Sequence, residues 1–346
     1  IEQIMIIETF IAFLALNLVA ASLKVGSNAA GVATSPKGLH LSVTTGTPGI
    51  WYPGTGAPFN PQSLLNYWTA SDSSGQFPSA ASENGTVYVS DDFGVTWSAR
   101  GASRAHTALA SDASGNRLAV TVNNEGVYLS SDRGVTWTLA NITDSSNFVW
   151  AEVTSDHSGQ HLTAVGAPAE FGYASIYSSH DFGMTWAAAT STCYYSTLYG
   201  LPDVSISHDG QYQYASFGWC GLRSTDYGAT WTDMPSNSRL TACNGTGQSV
   251  VAIDNSARSI LSSTDYGVTW TYLDTSIANW MSFASIVMDT SGLNIVVGGS
   301  KPRAVIASAD GGATWSYITP VGGSFATTFP LRMVADASAK HLLIAQ

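Results

Sequence analysis

The sequence predicts an all-β chain closed into a single β-propeller, seven blades with eight as the alternative, preceded by an apolar α-helix. Three observations predict it. The pattern S-x-D-x-G-x-T-W occurs six times. Its aspartates, Asp92, Asp132, Asp181, Asp226, Asp265 and Asp310, lie 39 to 49 residues apart, the length of one four-stranded blade at about 40 to 50 residues. Ahead of each copy comes a unit of apolar strand, polar turn and apolar strand.

In chain order, residues 1–27 form the first segment and residues 28–346 the propeller. Ile4 to Leu23 is a nearly unbroken apolar run. As a helix it would be about 30 Å long, enough to cross a bilayer. Val19-Ala20-Ala21 fits a leader cleavage site, but the chain opens Ile1-Glu2-Gln3 with no basic stretch, which argues against a secretory leader. Glu8 and Asn17 within the run are costly in lipid; self-assembly is the leading reading, a leader or a membrane anchor flanked by Lys24 the second, and packing onto its own propeller the third.

Val32 to Thr44 and Leu331 to Ala345 read as hairpin pieces without a box. A ring must close, and a composite blade with strands from both ends of the chain removes exposed sheet edges. In the eight-blade alternative the N-terminal piece is its own blade, with Gly49-Ile50-Trp51-Tyr52 as third strand; in a third option one terminal hairpin completes another subunit's sheet. Pro53, Pro58 and Pro61 make 53–66 a long loop.

The six boxes run Ser90–Trp97, Ser130–Trp137, Ser179–Trp186, Ser224–Trp231, Ser263–Trp270 and Ser308–Trp315. A short acid in a turn accepts hydrogen bonds from backbone N–H groups that follow it, glycine supplies a positive φ, and Ser and Thr add hydroxyl partners. The closing tryptophans, Trp97, Trp137, Trp186, Trp231, Trp270 and Trp315, bring apolar surface to bury against a neighbouring blade. Strand-like runs such as Val87-Tyr88-Val89 precede the boxes, so each box joins third and fourth strands. The inner hairpin is clearest at Leu109 to Val120.

These boxes resemble the Asp-box (BNR) repeats of sialidases, xyloglucan-degrading glycosidases, sortilin-type receptors and photosystem-assembly propellers, over about residues 80 to 316. The resemblance implies that the box is a structural turn at the blade periphery and that its six aspartates are not catalytic. The leading segment has a weaker, architectural resemblance to the N-terminal helix of type IV pilin-like subunits.

Charged residues make up only 11% of the chain against about 25% in ordinary globular domains. The net charge is −11 and the pI near 4.8. Such a surface argues against nucleic acid or an anionic membrane as partner. Three sequons, at Asn84, Asn141 and Asn244, suggest N-glycosylation and an extracellular or cell-surface location. Of three cysteines, Cys193 and Cys220 fall in loops that open on the same end of the blades, whereas Cys243 falls in a turn at the other end. A Cys193–Cys220 disulfide with Cys243 free is the expectation.

An active site is the remaining question. The sialidase resemblance would require an arginine triad, and the family's early Arg-Ile-Pro type motif is missing. Phe329-Pro330-Leu331-Arg332 stands at the wrong end and in the wrong order. A xyloglucanase-like site would need two carboxylates about 5 to 9.5 Å apart on the face where the inter-blade loops gather. The candidates there are Glu83, Glu125, Glu170 and Asp203, each also an ordinary polar turn residue. Trp219, in Gly218-Trp219-Cys220-Gly221, is the best candidate for stacking on a sugar ring. The seven histidines are scattered along the sequence, with no metal-ligand spacing, no phosphate loop and no cofactor fingerprint. The expectation is therefore a non-enzymatic, glycosylated extracellular propeller that self-associates into a homo-oligomer or filament through residues 1–27, without metal or cofactor. A membrane-anchored carbohydrate-binding or glycoside-hydrolase propeller is the alternative.

Overall fold

The computed structural model describes residues 40–43, 50–53, 67–142, 148–168, 172–195, 202–218, 220–234, 238–254, 259–274, 282–301, 304–318, 332–335 and 341–345. The leading segment 1–27, residues 54–66, Glu170 and Trp219 lie outside these residues, and Pro53, expected to begin a long loop, instead ends the strand Ile50–Pro53. All the strands fall within the unit Ser35–Gln346.

Six four-stranded antiparallel sheets are each cut from one contiguous run of chain. Sheet 1 comprises Tyr67–Ala70, Ser79–Ser82, Gly85–Val89 and Ser98–Arg104. Sheet 2 comprises His106–Ser111, Leu118–Val122, Gly126–Ser130 and Thr138–Leu139. Sheet 3 comprises Phe148–Ser155, Leu162–Pro168, Gly172–Ser179 and Ala187–Tyr195. Sheet 4 comprises Asp203–Ile206, Gln213–Ser216, Gly221–Ser224 and Thr232–Asp233. Sheet 5 comprises Ser238–Cys243, Val250–Asp254, Ser259–Ser263 and Thr271–Tyr272. Sheet 6 comprises Ser282–Met288, Ile295–Lys301, Val305–Ser308 and Ser316–Ile318.

A further sheet joins the two ends of the chain. Its order is Ile50–Pro53, His40–Val43, His341–Ala345, Arg332–Ala335, with His40 opposite Ile344 and Val43 opposite His341. Ile50–Pro53 is thus the outer strand of a shared sheet, not the third strand of an additional blade. The first strand of each sheet packs beside the first strand of the next, and Arg332–Ala335 touches the first strands of both sheet 6 and sheet 1.

Burial follows this order. The second strands Leu118–Val122, Gln213–Ser216 and Val250–Asp254 are buried at every position, because a neighbouring sheet covers each face and no side chain can point to water. The fourth strands Thr138–Leu139, Thr232–Asp233 and Thr271–Tyr272 are exposed. One apolar cluster runs across sheets 1 to 3 and includes the fully buried Trp150, with Phe148 and Tyr177 at ring-centroid distances of 4.8 and 5.4 Å. A second spans sheets 3 and 4, and a third sheets 5 and 6.

The turns between first and second strands repeat as Asp-x-Ser-Gly, and their acids are almost fully buried: Asp72, Asp112, Asp156 and Asp289 are 3 to 5% exposed. Each carboxylate accepts bonds from its own turn, as Asp72 does from Ser74 N (3.0 Å) and Phe77 N (2.7 Å) and Asp289 from Ser291 Oγ (2.8 Å) and Asn294 N (3.0 Å). Sheet 4 inverts the pair: Ser207 Oγ donates to Asp209 Oδ1 (2.6 Å) and accepts from Tyr212 N (3.0 Å).

The residue after each cap links one sheet to the next through the backbone. Ser73 N–H donates to Ala113 O (3.0 Å), Ala113 N–H to His157 O (3.0 Å), His157 N–H to His208 O (3.0 Å), His208 N–H to Gly245 O (2.9 Å) and Gly245 N–H to Thr290 O (3.1 Å). This arc passes directionally through all six contiguous sheets.

Within each box the serine hydroxyl is the buried element. Ser224 Oγ donates to Asp226 Oδ1 (2.7 Å) and accepts from Gly228 N (2.9 Å) and Asp226 N (3.3 Å). Ser224→Ala leaves a buried N–H of Gly228 unpaired, a cost of about 1–3 kcal/mol. Urea unfolding of the variant is expected to show that loss with an unchanged m-value, whereas wild-type stability would show that the hydroxyl is dispensable.

Candidate functional site

Every box has the same geometry. The aspartate Oδ1 accepts the threonine N–H at 2.7–2.9 Å, and Oδ2 accepts the threonine hydroxyl at 2.5–2.7 Å. The serine hydroxyl adds a bond to Oδ1 in each. These donors hold the carboxylates ionised: bonds from Thr269 and Thr314 lower Asp265 and Asp310 from 3.8 to about 2. In Asp92 burial pushes the other way and the bonds from Thr96 prevail, giving a net lowering.

Two successive residues in each box have positive φ. The glycines Gly94, Gly134, Gly183, Gly228, Gly267 and Gly312 were legible as such, but the preceding position holds Phe93, Arg133, Phe182, Tyr227 or Tyr266 at φ +56 to +62°. Tryptophan Nε1 donates to the box glycine's carbonyl at 2.9–3.1 Å in five boxes. Trp137 instead packs on Gly101 of sheet 1, where an added Cβ would meet its indole at 2.8 Å.

The side chain after the box aspartate stacks on the preceding sheet. Arg133 lies over Phe77 (3.7 Å to the centroid) and Arg117 over Phe182 (4.1 Å). His161 and Tyr227 stack at 4.7 Å, Tyr212 and Tyr266 at 4.4 Å. At the next junction the same positions are Ser249 and Gly311, so neither supplies a ring. Sequence reasoning missed this ladder. Its signal was present: the second residue after each turn glycine varies in step with the residue after the next box's aspartate.

Boxes and cap turns lie at one end of the sheets, since both follow odd-numbered strands. There the cap turns surround a cavity of about 210 Å³ lined by Ser71, Asp72, Ser111, Asp112, Ser155, Asp156, His157, His208, Cys243, Asp289 and Thr290, among others. Its acids are consumed by their own turns. Cys243 is free, and burial pushes its thiol up to about 12, so it stays protonated at neutral pH and is a poor nucleophile.

The glycosidase candidates sit at the opposite end, on separate partners. Glu125 pairs with Arg104 and accepts from Tyr128 Oη at 2.8 Å, and the Arg104 guanidinium lies 4.2 Å over the Tyr128 ring. Asp203 opens sheet 4 and its Oδ2 accepts from Thr241 N (2.7 Å) and Oγ1 (3.2 Å) of sheet 5. Glu83 occupies the second turn of sheet 1. Glu170 and Trp219 lie outside the described residues. Among the described residues no group of three His, Cys, Asp or Glu side chains is placed to hold a metal ion, and no helix is long and apolar enough to cross a membrane.

Asn84 and Asn141 are exposed. Asn244 is not a glycan site but a cap: it is 8% exposed, and its Oδ1 accepts from Ser249 N (3.1 Å) and Thr246 Oγ1 (3.2 Å). Its sequon reflects an asparagine standing where the other cap turns carry aspartate. Cys193 and Cys220 form a disulfide with Cα atoms 5.7 Å apart.

Residues 88–99, spanning the first box, match the family model described as BNR/Asp-box repeat. Among solved structures, YCF48 from Cyanidioschyzon merolae is 13% identical, over 82% of this chain and 97% of its own, with a TM-score of 0.59. YCF48 bound to D1 peptide gives 15%, 84%, 96% and 0.58. An ancestral GH74 enzyme gives 16% identity and a TM-score of 0.56, over 77% of this chain and 38% of its own. No match is found among curated protein sequences. At these identities the likeness is one of fold, and together with the six boxes it defines a class. The chain has a β-propeller fold and carries Asp-box repeats. The pilin-like reading of residues 1–27 is carried by none of these similarities and falls outside the described residues.

The lowered aspartates set an acid limit. A group whose folded pKa is depressed stabilises the fold fully above its unfolded value and loses that contribution as pH falls through its folded value. Near-UV circular dichroism is expected to stay constant down to about pH 4 and to collapse between 3.8 and about 2, the window of Asp265 and Asp310. A signal unchanged at pH 2 would show that the boxes contribute no net stability.

Proposed function

We propose that this chain is a non-catalytic extracellular propeller of seven blades, serving as a rigid docking and display module of a larger assembly. One observation carries the reading: the box and cap-turn aspartates, Glu125 and Asp203 are each committed to a structural hydrogen bond or ion pair, so none is poised as a general acid or nucleophile. The shared sheet beside the six contiguous ones supports a count of seven. The disulfide supports an oxidising compartment, and exposed Asn84 and Asn141 are the glycan acceptors in this account.

Protein docking is favoured over sugar cleavage by a fold relative, YCF48, with a peptide bound. Residues 1–27, the apolar run, build the propeller into a homo-oligomer or filament. The runner-up, an anchored glycan-binding or glycoside-hydrolase propeller, draws on the fold likeness to an ancestral GH74 enzyme.

Incubation of the purified chain with xyloglucan, followed by reducing-sugar release, is expected to give no turnover above a Glu125→Gln, Asp203→Asn control. Release that the double substitution abolishes would overturn the non-catalytic reading. Negative-stain electron microscopy is expected to show ordered particles or fibres for the full chain and monomers for the chain lacking residues 1–27. Assembly that survives the deletion would assign the contact to the propeller.

A further inference from the structure

Four of the chain's seven histidines converge on one seam, between sheets 3 and 4, at the end where the cap turns lie. His157 and His208 belong to adjacent cap turns and their rings lie 4.5 Å apart, tilted by 42°, an arrangement that stacks the rings. His161 and His180 differ: their Nδ1 atoms face each other at 3.1 Å.

We propose that His161 and His180 form a bidentate site for a divalent transition-metal ion, ligated through both Nδ1 atoms with water completing the coordination. Imidazole nitrogens bind such ions at about 2.0–2.1 Å, so two ligands on one ion stand about 3 Å apart. Imidazole selects copper, nickel or zinc over calcium or magnesium, and copper(II) binds tightest in the divalent series.

The site is held from several sides. His161 N donates to Asp156 Oδ1 (3.2 Å), and the imidazole lies over Gly210, where an added Cβ would come within 2.7 Å of the ring. The Tyr227 ring backs His161 at 4.7 Å and meets His180 edge-on at 6.4 Å. Gln160 Nε2 donates to His180 O at 3.1 Å. The charged groups acting on His161 are Asp156, His180 and Asp209. The two acids favour a bound cation. Burial keeps the His161 proton affinity low, which leaves its lone pair available at neutral pH. Without an ion, the contact requires one Nδ1 to donate and the other to accept, so binding replaces a hydrogen bond between mismatched tautomers with two equivalent ligands.

The test is a calorimetric titration of the chelator-treated full chain with Cu²⁺ alone at pH 7. One equivalent is expected to bind, with no binding of Ca²⁺. His180→Gln, at an exposed position, is expected to lose the site, and His157→Gln to retain it. Paramagnetic broadening of NMR signals in the unmodified chain, which depends on no variant, is expected to centre on His161 and His180. Absence of binding, persistence in His180→Gln, loss in His157→Gln, or broadening centred on His157 and His208 would each overturn the assignment.

Discussion

The structure depends on a line of backbone hydrogen bonds that passes from sheet to sheet through the turns at their inner edge. Each bond joins an N–H of one turn to the carbonyl of the next, from Ser73 through Ala113, His157, His208 and Gly245 to Thr290. A four-stranded sheet alone has two covered faces to find and an inner edge to satisfy. Here the apolar faces supply the packing, but they are non-directional and would tolerate sliding. The turn-to-turn bonds fix the register of one sheet on another, and the buried Asp, Ser or Asn caps hold each turn in the shape that presents both groups.

The boxes do the same work one layer out. The amide after each box aspartate donates to its own sheet's cap turn, as Phe93 does to Gln76 O at 2.9 Å and Tyr227 to Gln211 O at 3.1 Å, while the attached side chain stacks on the preceding sheet. Backbone therefore binds within a sheet and side chain between sheets. Two consecutive positive-φ residues make this division geometrically feasible, at a cost for the non-glycine member that the ionised carboxylate's bonds offset. Acids recruited in this way are poor material for catalysis: they are fully hydrogen-bonded, held well below neutral in proton affinity, and repeated in the same geometry in all six contiguous sheets. What distinguishes one seam from another is the stacked pair, and the seam between sheets 3 and 4 is unlike the others in stacking an imidazole, His161, on Tyr227.

Much of this was legible in the sequence, because a repeat states its rule several times. The six boxes, their place between third and fourth strands, and the pairing of chain ends all follow from spacing and from the avoidance of free edges. The cap turns were visible as polar turns, yet burial of Asp72 or Asp112 was not, since Asp-x-Ser-Gly reads as a solvated turn until its neighbours are known. Asn244 misled for the same reason: its sequon is a local triplet, whereas its burial depends on His208 and Thr290 closing over Gly245, where an added Cβ would meet them at 2.9 and 2.8 Å. The histidines looked scattered because His157, His161, His180 and His208 are brought together only by the stacking of two sheets. Glu125 and Asp203 could be placed at the correct end of the sheets, but their partners, Arg104 and Thr241, belong to neighbouring sheets and left no local trace.

Native-state amide hydrogen exchange at Ser73, Ala113, His157, His208 and Gly245 tests this dependence most directly. These amides sit in short polar turns beside an open cavity, where unpaired groups would exchange quickly. If they hold the sheets in register, they exchange only through global unfolding, with protection matching the free energy from denaturant melts. Exchange at the rate of exposed loops would contradict the account and leave apolar packing alone to define the ring.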